Sequence, residues 1–246
     1  MLGSKDAEKL LALEISESDL AGKFDHTNLQ PDATPANIEL LCKEAKEHGF
    51  FAVCINPCYV RLAHEVLAGT PVKVCTVVGF PLGANSRSTK PFEAEVALGD
   101  KADEIDMVMN IGLFKSGRVK EVTEEIAEVV SKVKLAGPEK IAKVIIESAL
   151  LTANEIEVAC KIVVDSGADF IKTSTGFSRA GGATIEALNI INRHRGKVKV
   201  KAAGGIRDLN TALSMLRAGA DRLGASSSVS ILRELRERTR QGAWSS

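Results

Sequence analysis

Short β-branched runs alternate with helical-period stretches along this 246-residue chain, and that alternation limits the fold more than any other feature of it. The runs are FFAVCIN (50–56), VKVCTVV (72–78), ADEIDMVMN (102–110), KIAKVIIES (140–148), DFIKTST (169–175), KVKVKAA (197–203) and DRLGAS (221–226). Helical periodicity fills 34–48, 57–68, 89–99, 119–135, 152–166, 183–194, 208–218 and 229–239. Thr152 and Glu155 have capping-box spacing, Asp208 is placed as an N-cap, and glycines in HGF, DSGAD and RAGAD fall where a helix must stop.

Strands alternating with helices of this length form parallel βαβ units with right-handed crossovers. An eighth strand is expected in KFDHT (23–27), because a closed barrel needs a partner at each sheet edge. Eight units in 246 residues give about 31 residues per unit, near the roughly 30 of a strand–helix repeat and the roughly 250 of a whole (β/α)8 barrel. No linker or composition shift marks a second domain, so the expectation is a single (β/α)8 TIM barrel over 1–246, with the barrel proper at about 23–240. A doubly wound sheet is the rival, but no G-x-G-x-x-G follows the first strand.

Composition excludes more than it identifies. With 32 basic and 32 acidic side chains, the chain has no global field to draw a polyanion, so neither nucleic acid nor an acidic membrane is expected as a partner. No run approaches the ~18 apolar residues of a membrane span. MLGSKDAEKL lacks the apolar core of a signal peptide, which predicts a cytoplasmic protein. The five cysteines, at 42, 54, 58, 75 and 160, are expected to be reduced and mainly structural, with Cys54 or Cys58 the alternative reactive thiol.

The most informative residues are ionisable ones inside apolar strands: Asp106, Lys143, Lys172 and Lys201. Alternation groups Asp106 with Val108 and Asn110, Lys143 with Ile145 and Glu147, and Lys201 with Lys199 and Lys197. A lysine in a barrel interior costs several kcal/mol unless it is paired or sheds its proton. Chemistry accounts for the set. A lysine amine attacks a carbonyl only when unprotonated, and a second ammonium nearby favours that state. Lys172 with Lys201 beside it, and Asp106 as a proton relay, would serve Schiff-base chemistry, with Lys143 and Glu147 as positioners; spacing alone leaves open which lysine is covalent. Lys197 and Lys199 are expected nearer the bottom or the outer rim.

Barrels often bind phosphate in the loops after the last two strands, which here are AAGGIRD (202–208) and LGASSS (223–228). Gly204, Gly205, Ser226 and Ser227 are the candidates there, beside a third glycine-containing loop, STGFSRAGGAT (174–184). The loop GFPLGANSRSTK (79–90) reads as a rim over the barrel mouth, with Asn85 and Ser86 as further candidates for substrate contact.

DHTNLQPDAT, VCINPCYV, VKVCTVVGFPLGAN, ADEIDMVMNIG, AKVIIESALL, FIKTSTGFSRAGGAT, VKAAGGIRD and DRLGASSS together resemble the deoxyribose-phosphate aldolase family, in order, over residues 25–228. The resemblance implies a class I aldolase that cleaves 2-deoxy-D-ribose 5-phosphate to acetaldehyde and D-glyceraldehyde 3-phosphate. It implies Lys172 as the Schiff-base lysine, Lys201 as its pKa-lowering and proton-transferring neighbour, and Asp106 in a water-mediated relay. It places Gly176, Gly204, Gly205, Ser226 and Ser227 around the phosphate. It implies no metal and no organic cofactor, small phosphorylated sugar and aldehyde substrates, a cytoplasmic homodimer or homotetramer, and a role in deoxynucleoside catabolism. Ala203, Ala225, Ser228 and Phe177 depart from residues common in relatives, and the loss of two hydroxyls is expected to weaken phosphate binding. A C-terminal tyrosine found in some relatives is missing, Tyr59 being the one tyrosine of the chain.

Overall fold

A computed structural model describes residues 15–243. The segment read for a targeting signal, 1–10, and the end of the C-terminal tail, 244–246, lie outside the described residues. Eight strands close into a barrel in sequence order: β1 (Phe24–Asn28), β2 (Ala52–Ile55), β3 (Lys73–Val78), β4 (Glu104–Val108), β5 (Ile141–Ile145), β6 (Phe170–Lys172), β7 (Lys199–Ala203) and β8 (Arg222–Ala225). Every neighbouring pair is parallel, and β1 pairs with β8, so the KFDHT segment supplies the closing strand.

The helices are α1 (Glu17–Ala21), α2 (Pro35–His48), α3 (Val60–Val66), α4 (Thr89–Gly99), α5 (Ile111–Lys115), α6 (Val119–Ala136), α7 (Ala153–Asp165), α8 (Ile185–His194), α9 (Leu209–Arg217) and α10 (Ser228–Ala243). Their ends follow local chemistry. At α7 the Thr152 hydroxyl accepts from the Glu155 amide while the Glu155 carboxylate accepts from the Thr152 amide, closing the capping box. Asp208 caps α9 by accepting from the Thr211 amide at 2.8 Å. At the end of α2, Gly49 adopts φ +70°, a left-handed turn that costs a side-chain-bearing residue more. α1 and α5, five residues each, are too short for helical periodicity to reveal.

The alternating strand faces divide the protein into two unlike interiors. Outward-facing residues such as Val53, Val74, Ile105, Met107, Val144, Ile171, Val200 and Leu223 pack with the helices into the main hydrophobic core. Inside the barrel, Ala52, Cys54, Cys75 and Val77 of β2 and β3 form a small apolar wall with Leu29 and Phe80. The inward positions of β4 to β8 and β1 instead carry Glu104, Asp106, Lys143, Lys172, Lys201, Arg222 and Asp25, all buried. Lys197 and Lys199 are exposed, as expected for the lower rim, and Lys199 lies over the Phe170 ring at 5.9 Å.

Candidate active site

Asp106 is the hub of the barrel interior. Its Oδ2 accepts from Lys172 Nζ at 2.8 Å and from Lys201 Nζ at 2.7 Å, and its Oδ1 accepts from Lys143 Nζ at 2.7 Å. The strand register dictates this convergence, since Asp106 pairs with Lys143 across β4–β5 and Lys172 with Lys201 across β6–β7. Paired residues of a parallel sheet share a face, so all four side chains project inward. Burial alone would push the Asp106 carboxyl up, but the three ammonium groups outweigh it and hold Asp106 well below the usual carboxylate range.

Three charged residues that strand spacing did not single out complete the network. Asp25 ion-pairs with Lys201 at 2.5 Å through one carboxylate oxygen and accepts from Arg222 Nε at 2.8 Å through the other. Glu104 accepts from Lys143 at 2.6 Å and from Arg222 Nη1 at 2.7 Å. Glu104 was detectable, because it lies two residues before Asp106 and period two puts both on one face. Asp25 and Arg222, 197 positions apart in sequence, meet through barrel closure, which sequence spacing does not reveal. Burial works against the charges of Lys143 and Lys201, yet Asp106 with Glu104, and Asp106 with Asp25, raise their proton affinities well above the ordinary lysine range. These two lysines therefore stay cationic. Cys54, Cys75 and Asp106, and likewise Asp25, Cys75 and Glu104, lie at metal-ligand spacing. All three carboxylates already accept from ammonium or guanidinium groups, so the donor set is that of an ion-pair network.

A cavity of about 560 Å³ opens over the C-terminal ends of the strands. Lys172, 2% exposed, is the interior lysine that lines it; Lys143, Lys201 and Asp106 are fully enclosed beneath and beside it. Gly176, Gly204, Gly205 and Ser226 also line the cavity, together with Ala203, Ala225 and Arg207. Gly204 and Gly205 have consecutive left-handed φ values of +86° and +85°, a backbone region that favours glycine. Ser226 leads into the N-terminus of α10, where the helix dipole favours an anion. Ser227 follows Ser226 without lining the cavity, and its carbonyl accepts from the Ile231 amide and the Ser230 hydroxyl, which builds the first turn of α10. Ser228 is used in the same way, its hydroxyl donating to the Ala225 carbonyl at 3.0 Å.

The loop after β6 is held from both sides. Glu147, itself left-handed at φ +50°, accepts from the Thr175 amide at 3.1 Å and from the Thr175 hydroxyl, fixing the start of the loop. Burial pushes the Glu147 carboxyl up. At the far end Ala183 donates to the Gly204 carbonyl at 3.1 Å, and a Cβ on Gly182 would stand 2.2 Å from that oxygen. Between them Phe177, 44% exposed on the cavity rim, meets Phe80 edge to face at 5.2 Å. Phe80 is carried by a loop anchored through Gly79, whose amide donates to Glu93 at 2.6 Å and whose Cα packs against the stem of buried Lys90. Lys90 in turn ion-pairs with buried Glu125 at 2.7 Å, joining α4 to α6. Asn85 and Ser86 do not line the cavity; the Ser86 hydroxyl bonds to Thr89 at the start of α4. Tyr59 donates to the Ala33 carbonyl at 2.6 Å, a structural role.

All five cysteines are free, with Cys58 exposed and the others buried. The hydrogen bond from Cys75 outweighs burial and draws the Cys54 thiol down to about 7, whereas burial pushes Cys42 up to about 11 and Cys160 up to about 12.

Comparison with known proteins gives concordant results. The DeoC/LacD family aldolase model matches residues 20–236. The chain is 50% identical over 222 residues to the deoxyribose-phosphate aldolase of Carboxydothermus hydrogenoformans, covering 90% of this chain and 97% of that protein. It is 51% identical over 216 residues to the corresponding aldolase of a Thermoanaerobacter strain, covering 87% and 96%. Among solved structures, the tetrameric deoxyribose phosphate aldolase of Aeropyrum pernix superposes with a TM-score of 0.84 at 31% identity, covering 96% of this chain and 99% of that one.

Proposed function

The chain belongs to the DeoC/LacD aldolase family, and on that premise we propose that it reversibly cleaves 2-deoxy-D-ribose 5-phosphate to acetaldehyde and D-glyceraldehyde 3-phosphate through a Schiff base on Lys172. The observation that carries the assignment of roles is that Lys172 lines the cavity while Lys143 and Lys201 are locked beneath it by carboxylates. An unprotonated Lys172 amine attacks C1 of the open-chain sugar. Loss of water from the carbinolamine leaves an iminium that withdraws electrons from C2. As the C3 hydroxyl gives up its proton, the C2–C3 bond breaks; D-glyceraldehyde 3-phosphate departs and an enamine of acetaldehyde remains on Lys172. Protonation at C2 and addition of water to the iminium release acetaldehyde and restore the lysine.

Lys201 supplies a fixed positive charge beside Lys172 and stands closest, through Asp106 Oδ2, to pass protons toward the reacting carbons. Asp106, held anionic, acts as a conduit between the two lysines and carries a proton only in passing. Lys143 supports Asp106 from its other oxygen. Gly176, Gly204, Gly205, Ser226 and Ser227 receive the phosphate, the two serines from the start of α10. The apolar wall of Leu29, Cys54 and Val77 on the opposite side of the barrel suits a small methyl-bearing donor. The same reading takes the chain as one barrel domain acting in the cytoplasm as a homodimer or homotetramer. Among the described residues no helix is long and apolar enough to cross a membrane. An assay of deoxyribose 5-phosphate cleavage with a strong chelator present tests the reaction: aldehyde release undiminished by the chelator is expected, and absence of cleavage by the folded protein contradicts the proposal.

A further inference from the structure

The barrel interior holds one cation that the proposed chemistry leaves unused. Arg222 stands opposite Lys201 in the β7–β8 register, and its guanidinium is sealed beneath by the Phe51 ring at 3.9 Å and the Phe170 ring at 5.6 Å. It reaches the cavity lysine by two parallel routes. One runs through Asp25, whose other oxygen takes Lys201, which holds Asp106 Oδ2. The second runs through Glu104 to Lys143, which holds Asp106 Oδ1. Both end on Asp106, the carboxylate that contacts Lys172.

The network joins four cations, Lys143, Lys172, Lys201 and Arg222, to three carboxylates, Asp25, Glu104 and Asp106. One positive charge is in excess, and in a buried cluster the excess is relieved most readily where a proton can leave for solvent. Arg222 cannot lose its proton. Lys143 faces three carboxylates and Lys201 two, whereas Lys172 faces one and opens to the cavity. The remaining titratable groups around Lys172 are Glu147 at the end of β5, held by Thr175, and the thiols of Cys54 on β2 and Cys75 on β3. Among the described residues none of these is in ion-pair contact with it.

We infer that Arg222 is a positioning residue for Lys172: by occupying Asp25 and Glu104 it leaves Lys201 and Lys143 to hold Asp106, and so makes Lys172 the cation of the cluster that gives up its proton. The inference rests on the role proposed above for Lys172. Without Arg222, two buried carboxylates would draw Lys143 and Lys201 away from Asp106. Asp106 would then fall to Lys172, whose ammonium would keep its proton to higher pH.

The test is trace labelling of the full-length protein with acetic anhydride across pH, with the extent of Lys172 acylation read by peptide mass, since the reagent takes the unprotonated amine and needs no turnover. Arg222→Met is expected to displace the rise of Lys172 labelling upward by about one pH unit, close to a tenfold loss of labelling on the acid side. Arg222→Lys restores a cation and is expected to bring the curve back toward the wild-type position. A curve unmoved in Arg222→Met, or displaced equally in both variants, overturns the inference. Should Arg222→Met fail to fold by circular dichroism, Asp25→Asn reads the same network with the opposite sign. Removing an anion is expected to move the curve downward, and no movement or an upward one overturns the inference. Borohydride trapping of acetaldehyde on wild-type Lys172 tests the underlying role separately. A missing adduct refutes the Schiff base, while the Arg222 dependence of acylation still stands or falls alone.

Discussion

Lys172 and Lys201 donate to the same atom, Oδ2 of Asp106, at 2.8 and 2.7 Å. Two ammonium groups meeting at one oxygen repel each other, and Lys201 is also fastened to Asp25, so Lys172 is the one that can relax the repulsion by losing its proton. Replacing Lys201 with leucine removes that repulsion and a proton carrier together. The expected result is a fall in kcat of about 10²- to 10⁴-fold, with the acid limb of kcat/KM displaced to higher pH. A variant that loses activity with its pH profile unmoved would show that Lys201 does not act on Lys172 electrostatically.

Asp106→Asn leaves three buried lysines without their common anion. Breaking a buried pair by removing one partner costs about 3–5 kcal/mol, and urea unfolding should show a loss of that order. The pH dependence has a definite sign. Asp106 is held below its ordinary range in the folded protein, so its contribution is fully present above the unfolded value of about 3.9 and disappears as pH falls through the depressed folded one. The stability difference between wild type and Asp106→Asn should therefore be flat from pH 8 to about 5 and shrink below about 4. A difference that already shrinks between pH 7 and 5 would contradict the network's hold on this carboxylate.

Gly182 is where the loop after β6 touches the loop after β7, with a Cβ there meeting the Gly204 carbonyl at 2.2 Å. Gly182→Ala must push the two backbones apart. The expected destabilisation is about 1–3 kcal/mol, and KM for the phosphorylated substrate should rise by a larger factor than kcat falls, because the displaced residues surround the proposed phosphate site rather than Lys172. Gly99→Ala, where a Cβ meets nothing within 4 Å, is the control and should leave KM unchanged. Equal behaviour of the two variants would remove Gly182 from any account of substrate binding.

Cys54 should be chemically distinct from the other buried thiols. With its thiol drawn to about 7, its reaction with a small reagent such as methyl methanethiosulfonate should rise through neutral pH. Cys42 and Cys160, pushed up to about 11 and about 12, should stay unmodified in the folded protein. Peptide mass mapping after brief exposure separates the sites. Labelling of Cys160 ahead of Cys54 would contradict the hydrogen bond from Cys75 as the cause.

Seven of the eight strands are legible because each is a β-branched run bounded by turn residues, and the eighth, KFDHT, is recovered by requiring the sheet to close. The spacing of Thr152 and Glu155 gives its helix start directly, whereas the Thr34–Asn37 box at α2 escapes a rule that looks for Glu or Gln at the third position. Strand β6 stops at Lys172, three residues before its apolar run ends, because the Thr173 hydroxyl turns to the Ala203 carbonyl and Thr175 to Glu147. In the site, Asp106 and the three lysines stand out as charges in apolar strands. Asp25 and Arg222 do not, since each has a plain reading as a polar residue near a strand end until closure brings β8 against β1. Ser226 and Ser227 read alike in sequence, although Ser226 lines the cavity and Ser227 does not, because how near each stands to the mouth depends on the turn that starts α10. Which lysine meets the cavity is likewise a matter of depth along the barrel, and period-two alternation fixes the face of a strand but not the depth.

The most direct measurement is reduction with borohydride in the presence of acetaldehyde, followed by peptide mass mapping of the adduct. One reduced ethyl adduct is expected, on Lys172, with loss of activity in proportion to its formation. An adduct on Lys201 or Lys143 instead, or full activity with Lys172 unmodified, would contradict the Schiff base on Lys172.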